Sequence, residues 1–320
     1  MTGRPSTAGR AQAPRAPDPA LEVLAPGPLS TVQDLGRPGW AALGVGRSGA
    51  ADRGSLRLAN RLVGNPEDAA AVEVTFGGLA VRASADLVVA VTGAPAPLRV
   101  SGRPRATHAA VLLAAGQEAV LEAPPVGLRS YLAVRGGVAV EPVLGSRSTD
   151  VLAGLGPPPL RAGDRLPVGP PPAAPVPVVD VAAVATPGGD DVVLRAVPGP
   201  RADWFTGAAL DVLGATRWVA SADSDRVGVR LDGGRLERSR TGELPSEGMV
   251  AGALQVPPSG QPVLLLADAP TTGGYPVVAV VVAADVDRAA QLRPGQGVRI
   301  RLTSRPVLPG HPASAAINRG

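Results

Sequence analysis

Short apolar or alternating runs, each ended by glycine, proline or polar turn residues, constrain this chain more than any other feature. Leu21–Leu24, Ala71–Phe76, Leu79–Arg82, Leu87–Val91, Ala109–Leu113, Glu118–Leu121 and Tyr131–Val134 form the first series. Much of it keeps roughly the 8–12-residue rhythm of a sandwich or barrel. Val192–Val197, Arg217–Ala220, Val227–Leu231, Ala253–Val256, Pro262–Leu266, Val277–Val282 and Val298–Leu302 form the second. Helical patterns do not alternate with these runs, which argues against a doubly wound parallel sheet. The expected fold is mainly β with a few short helices. The 41 glycines and 36 prolines suit many turns. With aromatics at 2%, Val, Leu and Ala must build the cores.

Three helices are expected. Asp52 is the N-cap of the first, with Leu56, Ala59, Leu62 and Val63 at helical spacing and Gly64 closing it. The others cover Ala202–Leu213 and Val286–Leu292. Pro26–Gly39 is expected to be a turn-rich segment. Residues 1–20 are expected to be a disordered extension, 21–170 a first β-rich unit and 171–190 a Pro/Ala-rich connector. A second β unit covers 191–303, and 304–320 is expected to be a disordered tail.

The composition removes several chemistries. There is no cysteine, hence no thiol nucleophile and no thiolate metal site. There is no lysine, hence no Schiff base, no biotin attachment on this chain and no Walker A loop. The two histidines do not make a His-rich metal site, and no metal is expected. No basic stripe interleaves with aromatics, so nucleic acid is not an expected partner. No apolar run approaches the roughly 18 residues of a membrane span. Met1–Ala20 lacks the apolar stretch of a secretory signal, and a cytoplasmic location is expected.

Chemistry is expected at loops held between strands. Asp268-Ala-Pro-Thr271-Thr272-Gly273-Gly274-Tyr275-Pro276 joins two apolar runs and gathers two hydroxyls, a carboxylate and a phenol. Gly44-Val-Gly46-Arg-Ser48-Gly49 matches a dinucleotide fingerprint in letters, but Pro38 and Gly39 stand where its buried strand should run. It is either an anion-holding loop with Ser48 or a plain turn. With no G-x-S-x-G elbow, Ser48 is not expected to head a Ser-His-Asp triad. His108 is expected to be a surface or strand-edge residue. Ser221–Arg226, Gly242–Gly248 and Gln255–Gly260 are further polar loops. Should they converge, Ser246, Gln255, Thr271 and Thr272 would line a mouth with Arg226 forking a carboxylate. Asp225 or Glu247 would then move protons. The alternative is surface turns.

Ser30-Thr-Val-Gln33-Asp34-Leu-Gly36-Arg37, Gly46-x-Ser48-Gly49-Ala-x-Asp52, Ala59-Asn60-x-Leu-Val-Gly64-Asn65 and Glu73-Val-Thr-x-Gly77-Gly78 occur in order. Tyr131–Gly137, Leu144–Thr149, Pro198-Gly-Pro, Asp203–Phe205, Ser224–Arg226, Ser246–Gly248, Gln255–Pro258 and Asp268–Pro276 follow. This series resembles the biotin-dependent carboxyltransferase A/B family, also called the allophanate hydrolase subunit 2 type, which includes the C subunits of 5-oxoprolinases and KipA-like proteins. The resemblance implies two cyclophilin-like β-barrel units. It implies a sister carboxyltransferase C/D protein and a third, LamB/YcsF-type subunit as partners. It further implies a small lactam or amide substrate, opened with ATP used by the complex. The alternatives within the family are a KipA-like regulator without chemistry, or a carboxyltransferase acting on a urea-like amide with a separate biotin carrier. Val227 and Val229 replace the family's usual Met and Tyr, which leaves the substrate open.

On these grounds Asp34, Asp52, Asp225 and Glu247 are the expected proton-handling residues. Ser48, Arg226, Ser246, Gln255, Asp268, Thr271, Thr272, Gly273, Gly274 and Tyr275 are the expected substrate-binding set.

Overall fold

The computed structural model describes residues 18–303 except Thr186, Gly189 and Glu243. The expected extension up to position 17 and the expected tail over 304–320 lie outside the described residues. Ala20, placed by expectation in the extension, already begins a strand.

The first half contains β1 (Ala20–Pro26), β2 (Leu29–Gln33), α1 (Arg53–Leu62), β3 (Ala71–Thr75), β4 (Leu79–Ala83) and β5 (Leu87–Gly93). It continues with β6 (Leu98–Val100), β7 (Arg103–Arg105), β8 (Ala110–Leu113), β9 (Glu118–Leu121), β10 (Arg129–Val134) and β11 (Arg165–Pro167). These strands form a six-stranded sheet, β11-β1-β4-β9-β6-β7, and a five-stranded sheet, β2-β3-β10-β5-β8. Leu21, Val23, Leu79, Val81 and Leu121 of the first sheet share a core with Val72, Val74, Val89, Val91 and Leu132 of the second. Fully burying each such side chain is worth about 1.5–3 kcal/mol.

Strand alternation decides what lies on the other face of the five-stranded sheet. Leu132 and Val134 point into the core, so Tyr131 and Ala133 point away from it. There they meet Leu56, Ala59 and Leu62 of α1 and Val63 at its C-terminal cap, the four positions whose spacing marked the helix. Glu73 is the register partner of Tyr131 and alternates with Val72 and Val74 in the same way. Its side chain therefore faces away from the core, beside Tyr131.

Residues 171–188 carry no strand or helix among the described positions. Beyond them lie β12 (Val192–Pro198), α2 (Gly207–Ala215), β13 (Trp218–Ala220), β14 (Gly228–Asp232), β15 (Glu247–Gly248), β16 (Ala253–Gln255) and β17 (Val263–Leu265). The chain then forms β18 (Thr272–Gly273), β19 (Val277–Val281), α3 (Ala283–Ala289) and β20 (Gly297–Leu302). Seven of these strands close a barrel in the order β12-β19-β16-β17-β14-β13-β20. The parallel pairing of β12 with β20 seals it. Trp218 is wholly buried in its core, and its indole N–H donates to the Leu213 carbonyl at 3.0 Å.

The mainly β class holds, and four local expectations change. Ser30–Gln33 is a strand rather than part of a turn-rich segment. Its polar side chains are buried: Ser30 Oγ donates to the Pro26 carbonyl, and Gln33 Nε2 to Thr31 Oγ1 and the Thr149 carbonyl, while Gln33 Oε1 makes no hydrogen bond among the described residues. Ala202–Leu213 splits into a 3₁₀ turn over Ala202–Trp204 and α2, because Phe205 and Thr206 adopt extended backbone. α3 starts three residues before the expected Val286. β6 and β7 were not expected, since Arg99, Arg103, Pro104 and Arg105 hide the strand pattern; Pro104 is tolerated because β7 is a sheet edge.

Candidate functional site

The two-sheet body and the barrel meet through buried charge. Arg226, just before β14, is 1% exposed. Its guanidinium donates to both oxygens of Asp268 (2.9 and 3.0 Å), to the Gly49 carbonyl (2.7 Å) and to Glu73 Oε1. Arg129 approaches the same Glu73 oxygen at 3.5 Å. Burial pushes the Glu73 carboxyl up, but Arg226 and Arg129 outweigh it and hold the group below the usual range. Burial pulls the Arg226 guanidinium down, and Glu73 and Asp268 more than reverse that. Ser48 Oγ lies 2.6 Å from Asp268 Oδ1 and 3.1 Å from the Thr149 carbonyl. Its single proton serves one acceptor at a time.

Tyr131 carries the network to α1. Its hydroxyl donates to Glu73 Oε2 and accepts from the backbone N–H of Asp52, both at 2.8 Å. Burial, then Glu73 and Asp52, raises the Tyr131 hydroxyl well above its ordinary value, so it stays protonated. Asp52 caps α1 as expected, accepting from the Ser55 N–H at 2.9 Å and the Ser55 hydroxyl at 2.7 Å. Gln291, following α3, donates to Asp52 Oδ2 at 2.7 Å and accepts from the N–H groups of Leu128 and Arg129. Asp287 of α3 accepts from the N–H groups of Arg53 and Gly54 at the same helix start.

A cleft of about 510 Å³ opens here, within the range of small-molecule sites. Asp52, Ser55 and Leu58 of α1 line it with His108, Val184–Ala185, Pro187 and Gly188 of the connecting segment, and Asp287, Arg288 and Gln291 from the barrel side. Burial, then the Asp287 charge, raises the Asp52 carboxyl to about 6. Such a group can both give and take a proton near neutral pH. His108 adopts a left-handed backbone (φ 59°) and is 7% exposed. Burial lowers its ring, opposed by the Gly93 carbonyl, so the neutral form is favoured. Of the expectation of a surface or strand-edge histidine, the strand edge holds, since the His108 N–H donates to the Val91 carbonyl of β5 just before β8; the ring is buried rather than on the surface and borders the cleft.

The other expected residues divide into groups. The loops holding Glu247 and Thr272 do converge, because β15 pairs with β18. Gln255 joins them, donating to the Tyr275 carbonyl at 3.2 Å. Thr271 Oγ1 donates to the Gly44 carbonyl at 3.2 Å, which ties this turn to the glycine loop. Glu247 is paired with Arg201. Ser246, Thr272, Gly274 and Tyr275 are exposed, and Gly273 is half-buried. Asp52 stands apart from this group, in the cleft.

Four roles are corrected. Arg226 has no fork free for a ligand carboxylate, since Asp268 and Glu73 occupy it; Asp268 is spent in the same contact. Asp225 is exposed and only closes its own turn, accepting from the N–H groups of Val227 and Gly228. Asp34 is buried with its oxygens filled by Gly36 N–H, Arg147 N–H and the hydroxyls of Ser146 and Ser148. It anchors the 146–149 loop rather than facing a substrate.

Glu73, Arg129, Tyr131, Asp287 and Gln291 were not singled out as site residues. Glu73 and Tyr131 offered one signal, a charge and a phenol at alternating positions of otherwise apolar strands. Asp287 and Gln291 offered none, because their partners lie more than 160 residues away.

A mainly β body joined to a closed barrel is the architecture of a carboxyltransferase-type domain. The sequence profile described as "Carboxyltransferase domain, subdomain A and B" matches residues 43–302, and the chain belongs to this family. It is 40% identical to the C subunit of 5-oxoprolinase from Escherichia coli over 87% of this chain and 89% of that protein. The crystal structure of TTHA0988 superposes with a TM-score of 0.80 at 37% identity, covering 91% of this chain and 57% of that one. The K. lactis urea amidolyase superposes at 0.83 and 29%, covering 89% of this chain and 19% of that one. The chain thus spans just over half of the first solved chain and about a fifth of the second.

Proposed function

We propose that this chain is the C-type subunit of an ATP-dependent 5-oxoprolinase-type complex, which opens the lactam of 5-oxo-L-proline to give L-glutamate. The likeness to the 5-oxoprolinase C subunit along almost the whole of both chains carries this reading. The cleft supports it. A lactam is a poor electrophile, and its opening needs a proton delivered to the ring nitrogen as the C–N bond breaks. Asp52, held near 6, is the group in the cleft suited to that transfer. Gln291 and Ser55 orient its carboxylate.

In this reading ATP is used by the complex. The N–H groups of Arg53 and Gly54 are taken by Asp287, so these two amides are not open to a ligand. The partners in this reading are the sister C/D protein and a LamB/YcsF-type third subunit. The test is glutamate release from 5-oxo-L-proline and ATP by the three co-purified proteins. Release that stops when this chain is omitted supports the assignment. A stable assembly without turnover defeats it.

The likeness to urea amidolyase favours one second reading: transfer of a carboxyl group to a urea-like amide, with biotin carried by another chain. Carboxylation of urea by the same assembly plus a biotinylated carrier, with no glutamate release, would select it.

A further inference from the structure

A second pocket, of about 240 Å³, lies on the other side of the contact between Asp287 and α1. Its walls are mostly small and apolar: Ala50, Ala51, Ala251, Ala267, Ala283 and Val286. Arg53, Arg57 and Asp287 supply its charge. The Arg53 guanidinium has no hydrogen-bond partner among the described residues, although the Asp287 charge faces it. Burial lowers it, and the charges of Arg47 and Arg57 lower it further. Arg57 reaches Glu67 only at 3.5 Å, and its buried Nε makes no hydrogen bond. Arg53 opens the first turn of α1, where the helix dipole disfavours a cation. The pocket therefore gathers two cations, Arg53 without a hydrogen-bond partner among the described residues and Arg57 facing Glu67 at 3.5 Å, with one carboxylate already committed to backbone amides.

We propose that this pocket is an oxyanion site, taking a phosphate or carboxylate group between Arg53 and Arg57. An anion there relieves the repulsion on Arg53 and takes its idle donors, and a guanidinium offers the fork that such groups match. The volume lies below the roughly 300–1,000 Å³ of pockets that enclose whole organic ligands. A small ion or the acidic end of a larger ligand fits. This site is separate from the Asp52 cleft, and its failure would leave the lactam reading untouched.

The test is calorimetric titration of the full chain with inorganic phosphate and with acetate, at constant ionic strength. Arg53→Gln, Arg57→Gln and, as a surface control, Arg230→Gln are measured alongside. Saturable binding by the unaltered chain and the control is expected, weakened at least about tenfold by Arg53→Gln or Arg57→Gln. The stronger of the two anions identifies the natural group. Near-UV circular dichroism confirms that each variant is folded, and Gln preserves helix propensity. Absence of saturable binding to the unaltered chain overturns the proposal. So does equal binding by folded Arg53→Gln and Arg57→Gln.

Discussion

Arg226 of the barrel side is paired with Glu73 of the two-sheet body, and both side chains are 1% exposed. The pair links the two bodies, whose hydrophobic cores are separate clusters. Asp268 completes it by taking two donors from the same guanidinium. Removing one partner of a buried ionic cluster leaves the others charged and unpaired. Arg226→Ala is therefore expected to cost about 3–5 kcal/mol, read as a lower midpoint in urea unfolding. Arg226→Lys should recover only part, because a point charge cannot fork Asp268 and reach Glu73 together. An unchanged midpoint in Arg226→Ala would remove the cluster from any account of this fold.

Asp52 works in the opposite direction. Its carboxyl titrates near 6 in the folded chain against an ordinary value of 3.8, so between those values the folded state binds the extra proton. Stability from this group is fully present below 3.8 and is lost as pH rises through 6. A shift of this size corresponds to up to about 3 kcal/mol. Asp52→Asn keeps an effective N-cap and removes the charge. It should be more stable than the unaltered chain at pH 7, with the gap closing as pH falls toward 4. Thermal unfolding across pH 4–8 checks this, and a gap constant over that range would refute it.

The same substitution should damage turnover. A positioned acid–base group typically contributes about 10²–10⁴-fold. In the assembled complex, Asp52→Asn is expected to lower kcat for glutamate release by that order while the complex remains intact. A variant with full activity would take Asp52 out of the reaction.

Gln291 tunes Asp52 and stitches the two bodies at once. Its amide donor lowers the Asp52 carboxyl, opposing burial. Gln291→Ala should therefore move the Asp52 titration further up, seen by carboxyl-carbon NMR or in the pH profile of kcat. It also leaves the N–H groups of Leu128 and Arg129 unpaired, at a cost on the order of 1–3 kcal/mol. A stability loss without a titration shift would reduce Gln291 to a structural clasp.

Thr272 provides the contrast. It is exposed, and its hydroxyl makes no hydrogen bond among the described residues. Thr272→Ala should change stability by less than about 0.5 kcal/mol and leave turnover within about two-fold. A large loss of turnover would return the site to the Asp268–Pro276 turn.

Much of the architecture was legible because strand and helix periods are written locally. Leu56, Ala59, Leu62 and Val63 marked α1, Asp52 marked its start, and most strand runs lie within a residue or two of their observed bounds. β2 was not legible: its polar residues become a buried strand only because partners such as the distant Thr149 carbonyl satisfy them.

By itself the sequence determined the mainly β class, the family and the absence of lysine and cysteine chemistry. The class and the excluded chemistries follow from residue types and short-range spacing, and the family from the resemblance carried by the ordered motifs. Only the tertiary structure decided which polar groups stand free and which are spent. Arg226 and Asp268 look like binding residues in the chain and are consumed by each other and by Glu73. Asp52 reads in the chain as a helix cap and a proton-handling candidate alongside Asp34, Asp225 and Glu247, and burial with the Asp287 charge, brought against it from more than 200 positions away, raises its carboxyl. Burial and charge at a carboxyl depend on neighbours in space, and no spacing along the chain encodes them.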